Sequence, residues 1–289
     1  MIVDAHHHLW QPERGYTWLD APGLAPIRRP FTPADLLAEV AAAGVDRTIL
    51  VEGGRCHPDE VPEFLGYAAD TDVIAGVVAW ADPTDPDLAV TLAGYRRMRG
   101  GDLLVGVRSQ VQGEPDPDHL DRTDVRRGLA AVAAAGLVFD LVIRADQLPA
   151  AARAAEALPE LRLVLDHLGK PRIDEGAAGL AAWRGPLQDL AACDNVAAKL
   201  SGLVTEAGPQ WTVDALRPFV TAAVDAFGPS RLMFGSDWPV CLLVAGYRDV
   251  LDALRHALPP LPASDLDAVL GGTATRVYHL APRTLGDRR

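Results

Sequence analysis

Near its start the chain reads Asp4-Ala5-His6-His7-His8 directly after the apolar pair Ile2-Val3. In extended backbone alternate side chains share a face, so His6 and His8 point one way and His7 the other. Two imidazoles on one face can hold one metal ion or one oxyanion. Two more polar clusters follow apolar runs later in the chain: Asp166-His167-Leu168-Gly169-Lys170-Pro171 and Gly235-Ser236-Asp237-Trp238-Pro239. An aspartate held near imidazoles in a semi-enclosed pocket can take a proton from water, and a histidine can donate a hydrogen bond to a substrate oxygen. Asp237 is therefore the candidate general base, with His6, His8 and His167 as the groups that polarise a carbonyl. Glu52, after another apolar run, is a candidate cation ligand or a solvated loop acid. Arg108 offers a planar fork for a carbonyl, a carboxylate or sugar hydroxyls. Lys199, beside Ser201, fits a buried, paired lysine better than a nucleophile.

These residues need a scaffold that brings distant segments to one place. Apolar, often β-branched runs at Ile2-Val3, 47–51, 73–80, 103–107, 137–143, 161–165, 196–200 and 231–234 alternate with alanine-rich amphipathic segments. Their ends mostly recur at the roughly 30-residue spacing of one βα unit. Eight such units predict an α/β fold, a (β/α)8 TIM-like barrel, whose active site lies at the C-terminal ends of its strands, where the polar clusters fall. Helix grammar agrees: Thr32-Pro33-Ala34-Asp35 combines a capping threonine, a first-turn proline and an acid, and Gly44 follows the alanines at 41–43. The segments 124–135, ended by Gly136, and 212–227, ended by Gly228, start polar and stop at glycine, and Ser264-Asp265 opens another helix. With no linker or low-complexity tract in between, 1–289 is expected to form a single domain. Its first βα loop, about 9–31, is unusually long and rich in Pro, Gly and aromatics, which suits a cover for the barrel mouth.

Composition narrows the partners. With 27 Lys+Arg against 39 Asp+Glu the formal charge is −12, which argues against nucleic acid. Three widely spaced cysteines form no C-x-x-C pair, and no basic-then-apolar leader or 18-residue apolar stretch occurs. A cytoplasmic protein acting on a small molecule, without membrane or nucleic-acid partners, is the expectation. Oligomeric state is not encoded in these features.

Together, Asp-x-His-x-His at the first strand, the Asp166–Pro171 motif at the sixth, Lys199-Leu200-Ser201-Gly202-Leu203 at the seventh and the Gly235–Pro239 motif at the eighth closely resemble the amidohydrolase superfamily. Within it the chain is most similar to lactone hydrolases acting on sugar-acid lactones and on 2-pyrone-4,6-dicarboxylate. The resemblance implies a hydrolase that opens a sugar-acid lactone, with the first-loop pattern nearer the sugar-lactone type. Members with two metals carry a carboxylated lysine at the fourth strand and histidines at both the fifth and sixth. Here the fourth ends Val107-Arg108 and the fifth reads Phe139-Asp140-Leu141-Val142. The expectation is thus at most one divalent ion, zinc or manganese, on His6, His8 and Asp237, with Glu52 or His167 completing the set. The lactonase branch looks able to work with a weakly held metal or none. Arg108 would orient the lactone, and Trp80, Trp238 and the Trp10–Trp18 loop would offer faces for a sugar ring. The alternatives are a 2-pyrone-4,6-dicarboxylate-type lactonase, a metal-dependent decarboxylase of an unsaturated or aromatic acid, and a non-catalytic sugar-acid binder.

Overall fold

The computed structural model describes residues 1–281; the last eight residues of the expected 1–289 domain lie outside the described ones. Among these residues eight parallel strands pair in sequence order: β1 (Val3–His7), β2 (Arg47–Val51), β3 (Ile74–Trp80), β4 (Leu104–Ser109), β5 (Val138–Leu141), β6 (Leu163–Leu165), β7 (Val196–Leu200) and β8 (Leu232–Phe234). The ring closes between the first and last strands, where His8 N–H donates to Trp238 O at 2.7 Å and Asp237 N–H to His6 O at 2.8 Å. Asp4 ties the same seam. Its carboxylate accepts from the Ser236 backbone (2.8 Å), the Ser236 hydroxyl (2.6 Å) and the Tyr247 hydroxyl (2.8 Å). Burial raises its pKa even so.

Helix ends follow the sequence grammar. Helix α1 (Pro33–Ala43) starts at a capping box of Thr32 and Asp35 and stops at left-handed Gly44. The helix Val213–Phe227 is capped by Thr212, whose side chain accepts from the Ala215 N–H, and ends at Gly228. Buried residues sort into an outer shell between sheet and helices and an inner plug of Val3, Ala5, Ile49, Val138, Val164, Ala197 and Met233, closed below by Tyr278. Strand alternation then sets the next inward layer: Asp140 two residues after Val138, Asp166 two after Val164, Lys199 two after Ala197. Apolar residues fill the bottom of the barrel, ions the middle, and the site sits above them.

In β1, simple alternation from inward Ala5 would turn His6 outward. A bulge prevents this: three steps from Asp4 to His7 oppose two from Thr48 to Leu50. The extra residue lets His6 and His8 face the barrel interior, with Asp4 Oδ1 accepting the His6 N–H at 3.0 Å. His7 faces away, as expected, yet it is fully buried, its Nε2 3.0 Å from Thr48 Oγ1. The first βα loop folds back across the mouth through three short turns. Trp10 donates to Ile27 O at 3.1 Å, and Trp18 donates to Gly53 O at 2.9 Å.

Candidate active site

A cavity of about 420 Å³ opens at the C-terminal ends of the strands, lined among others by His8, His167, Asp237, Arg108, Lys170, Gln110 and Trp18. Asp237 Oδ1 is its focus, 3.5 Å from His8 Nε2, 3.8 Å from His6 Nε2 and 3.9 Å from His167 Nε2. Burial pushes the Asp237 carboxyl up, but His167, His8 and Lys170 outweigh it and hold its pKa below the ordinary value. Burial dominates at the imidazoles: it brings His167 down to about 4 and His6 well below the usual histidine range. The result is an ionised carboxylate beside two neutral imidazoles, His6 and His167, the protonation states a general base needs.

His8 Nδ1 lies 2.9 Å from the Val51 carbonyl, which can only accept. The ring proton therefore sits on Nδ1, and Nε2 presents a lone pair to the cavity. His6 Nδ1 lies 3.1 Å from Lys199 Nζ, an ammonium that can only donate, and 3.2 Å from Asp166 Oδ1. The Nε2 atoms of the two rings stand 3.1 Å apart beside a carboxylate, and with both deprotonated at Nε2 the arrangement suits a cation. Ligand atoms of His6, His8 and Asp237 all lie within 4.8 Å of one another, as do those of His6, Asp166 and His167.

His167 and Lys170 come from an unusual turn. His167, Leu168, Gly169 and Lys170 all have positive φ, between 52° and 70°, so the chain makes one left-handed turn after β6. For residues with a Cβ this costs roughly 1–2 kcal/mol each, offset here by fixed contacts. The Trp183 indole donates to Leu168 O at 2.8 Å, Lys170 N–H donates to His167 O at 2.9 Å, and Ser201 Oγ lies 2.9 Å from His167 Nδ1. Gly202 is required beside it, since a Cβ there would stand 2.7 Å from His167 Nδ1.

Other expected site residues are placed differently. Glu52 does not join the imidazoles. Its Oε1 accepts from Arg108 Nε at 3.0 Å and its Oε2 from Gly54 N–H at 2.6 Å. Arg108 reaches the cavity, but its guanidinium also donates to Asp166 Oδ2 at 2.8 Å and to Glu52 O at 2.7 Å, leaving little capacity to orient a lactone. Trp238 is buried edge-on against Phe31, centroids 5.1 Å apart, and Trp80 lines a neighbouring cleft. Neither forms a wall of the main cavity; Trp18 of the long loop does. Lys199 is fully buried between Asp140 and Asp166, in keeping with the paired reading.

Lys170, Gln110 and Gln112 were not singled out from sequence. The glutamines follow β4 two residues apart, the spacing that puts both on one side of an extended segment. Lys170 stands three residues after His167, one turn in a three-residue helix.

Comparison with known proteins places this geometry. The chain is 39% identical over 289 residues to an L-fucono-1,5-lactonase of Burkholderia multivorans, covering 96% of each protein, and 36% identical over 290 residues to one of Burkholderia ambifaria, covering 99% of this chain and 98% of that one. A crystal structure of an amidohydrolase from Burkholderia multivorans with bound zinc superposes with a TM-score of 0.90 at 39% identity, over 97% of this chain and 100% of that one. The fold alone is shared with a 2-pyrone-4,6-dicarboxylic acid hydrolase described as putative from Pseudomonas putida, TM-score 0.77 at 22% identity, over 98% of each chain. The sequence model described as amidohydrolase matches residues 3–280, from the first strand to beyond the last helix, and the chain accordingly belongs to the amidohydrolase family.

Proposed function

We propose that this protein hydrolyses a neutral sugar-acid lactone to the free acid, with L-fucono-1,5-lactone, the substrate named for its relatives, as the first compound to test. The observation that carries this reading is a single carboxylate, Asp237, set within 4 Å of three imidazoles at the floor of a cavity of sugar-ring size. Asp237 takes a proton from water as the water oxygen bonds to the lactone carbonyl carbon. His167, whose Nδ1 accepts from the Ser201 hydroxyl in the tautomer that carries Nε2–H, donates to the carbonyl oxygen and holds the charge that develops there, while the Nε2 lone pair of His8 faces the attacking water or a cation. The ring C–O bond then breaks, its electrons go to the ring oxygen, and Asp237 returns the proton to that oxygen.

His6, His8 and Asp237 suit one divalent cation, zinc or manganese, and zinc is present in the similar Burkholderia multivorans structure. When bound it supplies Lewis-acid polarisation and lowers the pKa of a water. A stoichiometry no higher than one is expected by elemental analysis, because β4 carries Arg108 near its end and β5 contributes Asp140, itself engaged by Lys199.

The arginine distribution favours a neutral substrate over a dicarboxylate. Among the described residues lining the cavity Arg108 is the only arginine. Arg144 pairs with Asp146 at 3.1 Å, and Arg172 with Asp174 at 3.2 Å. A dianion would need several free guanidiniums. Lactone opening releases a proton at neutral pH, so a pH-indicator screen of aldonolactones against 2-pyrone-4,6-dicarboxylate tests the proposal. Faster opening of a five- or six-membered sugar lactone is expected. Preference for the dicarboxylate would overturn it. Among the described residues no helix is long and apolar enough to cross a membrane.

A further inference from the structure

We infer that Lys170 is a substrate-contacting residue whose ammonium binds the carboxylate created by hydrolysis, an inference that rests on the lactonase reading. Lys170 lines the cavity, and among the described residues its Nζ takes part in no hydrogen bond or ion pair. Two other cations near the site are taken: Arg108 by Glu52 and Asp166, Lys199 by Asp140 and Asp166. The left-handed turn explains how a lysine comes to stand there. With a 2.9 Å hydrogen bond from the Lys170 N–H to His167 O, residues i and i+3 of the turn fall on one side, so Lys170 and His167 face the cavity together. Leu168, between them, is buried on the other side. Glu206, half-buried on the short helix Leu203–Ala207, feels the charge of Lys170 but lies beyond ion-pair distance.

The charge balance of the reaction calls for such a group. A neutral lactone enters a cavity that already holds the Asp237 anion, and after the product acid releases its proton to water a carboxylate leaves. Two like charges in a buried space strongly disfavour each other, and a preorganised cation facing the second one removes that penalty without reorganisation. Lys170 transfers no proton in this role.

The test uses the full-length protein, with L-fucono-1,5-lactone as substrate, L-fuconate as the anionic product and the corresponding neutral 1,5-lactam as a ring-shaped control. In Lys170→Met, kcat/KM is expected to fall by about 10²–10³, the scale for loss of an oxyanion-binding group. Inhibition by L-fuconate should weaken at least about tenfold while inhibition by the lactam stays within about twofold. Lys170→Arg should recover part of the anion binding. Lys170→Asn, which tolerates left-handed backbone, should reproduce the methionine result if charge and not the turn is responsible. Anion and lactam inhibition weakening together would mark Lys170 as a support of the turn, and no change in either would remove it from the site; both overturn the inference. If the wild type does not open the lactone, the lactonase reading falls. Equilibrium binding of L-fuconate to wild type and Lys170→Met still decides the fate of Lys170.

Discussion

Two layers of polar side chains lie one above the other inside this barrel, and they differ in how completely they are bonded. In the lower layer Lys199 bridges Asp140 and Asp166, Asp166 also holds Arg108, Arg108 holds Glu52, and Tyr278 donates to Asp140 at 2.8 Å. All are buried. In the upper layer Asp237 stands 3.5 Å or more from its imidazole neighbours, His8 turns a lone pair to open space and, among the described residues, the Lys170 ammonium makes no hydrogen bond or ion pair. The lower layer spends its bonding capacity on itself. It therefore fixes positions, including that of His6, which touches Asp166 and Lys199 through Nδ1. Chemistry belongs where capacity is left over.

If that division is right, one substitution in each layer should separate activity from stability. Asp237→Asn keeps the shape and removes the base, so kcat should drop by about 10²–10⁴ with an unchanged urea midpoint; activity within tenfold of wild type would take Asp237 out of the mechanism. Lys199→Met strands two buried carboxylates and should cost about 3–5 kcal/mol of folding free energy. A loss below about 1 kcal/mol would show that the lower layer is not a structural unit.

The histidines of β1 sharpen the contrast within five residues. His8→Ala removes a lone pair aimed at the cavity and should lower kcat about a hundredfold, with little change in stability. His7→Ala should leave kcat nearly intact but cost about 1–2 kcal/mol, because Thr48 Oγ1 loses a buried partner. Equal loss of activity in both would contradict the bulge-defined facing of this strand.

pH separates activity from stability as well, because the two are lost over different ranges. Burial holds folded His167 at about 4 and His7 at about 3, against about 6.5 in an unfolded chain. The unfolded state thus binds protons that the folded state refuses. Stability from these groups is fully present above about pH 6.5 and is lost as pH falls toward 4 and then 3. Activity depends on ionised Asp237, whose pKa lies below its ordinary value, and on neutral His167. The acid limb of kcat/KM should accordingly appear near pH 4, with stability already declining from pH 6.5. A limb near 6.5 would mean that a histidine titrates in solution-like surroundings.

Much of this was legible in the residues, for physical reasons. Parallel strands buried on both faces read as continuous apolar runs, and β2 and β7 fall on the expected residues, 47–51 and 196–200. Asp237 and His167 stood out because polar residues directly after such runs lie at the barrel mouth. The errors came where a side chain's direction depends on three-dimensional partners. Glu52 and Arg108 sit at strand ends as expected but face each other across β3, which no linear spacing reveals. Trp238 follows the base directly, yet it turns away to pack on Phe31. The bulge at His6 was equally invisible, since strand alternation assumes a regular register.

The smallest effect concerns the aromatic wall, where sequence and structure point to different tryptophans. Trp18 lines the cavity and is anchored by its indole hydrogen bond to Gly53 O, whereas Trp80 lines the adjacent cleft with Asp82 and His119. A sugar lactone bound above Asp237 would lose one apolar face in Trp18→Ala, and a few hydrophobic contacts at a binding site are worth about 1–2 kcal/mol. KM is expected to rise about tenfold with kcat changed much less, since the wall contacts ground state and transition state alike. Trp18→Phe keeps the ring and loses only the bond to Gly53, so a rise of about threefold or less is expected. Trp80→Ala should leave KM within about twofold. A larger KM effect at Trp80 than at Trp18 would put the sugar ring in the neighbouring cleft and shift the boundary of the upper layer toward β3 and β4.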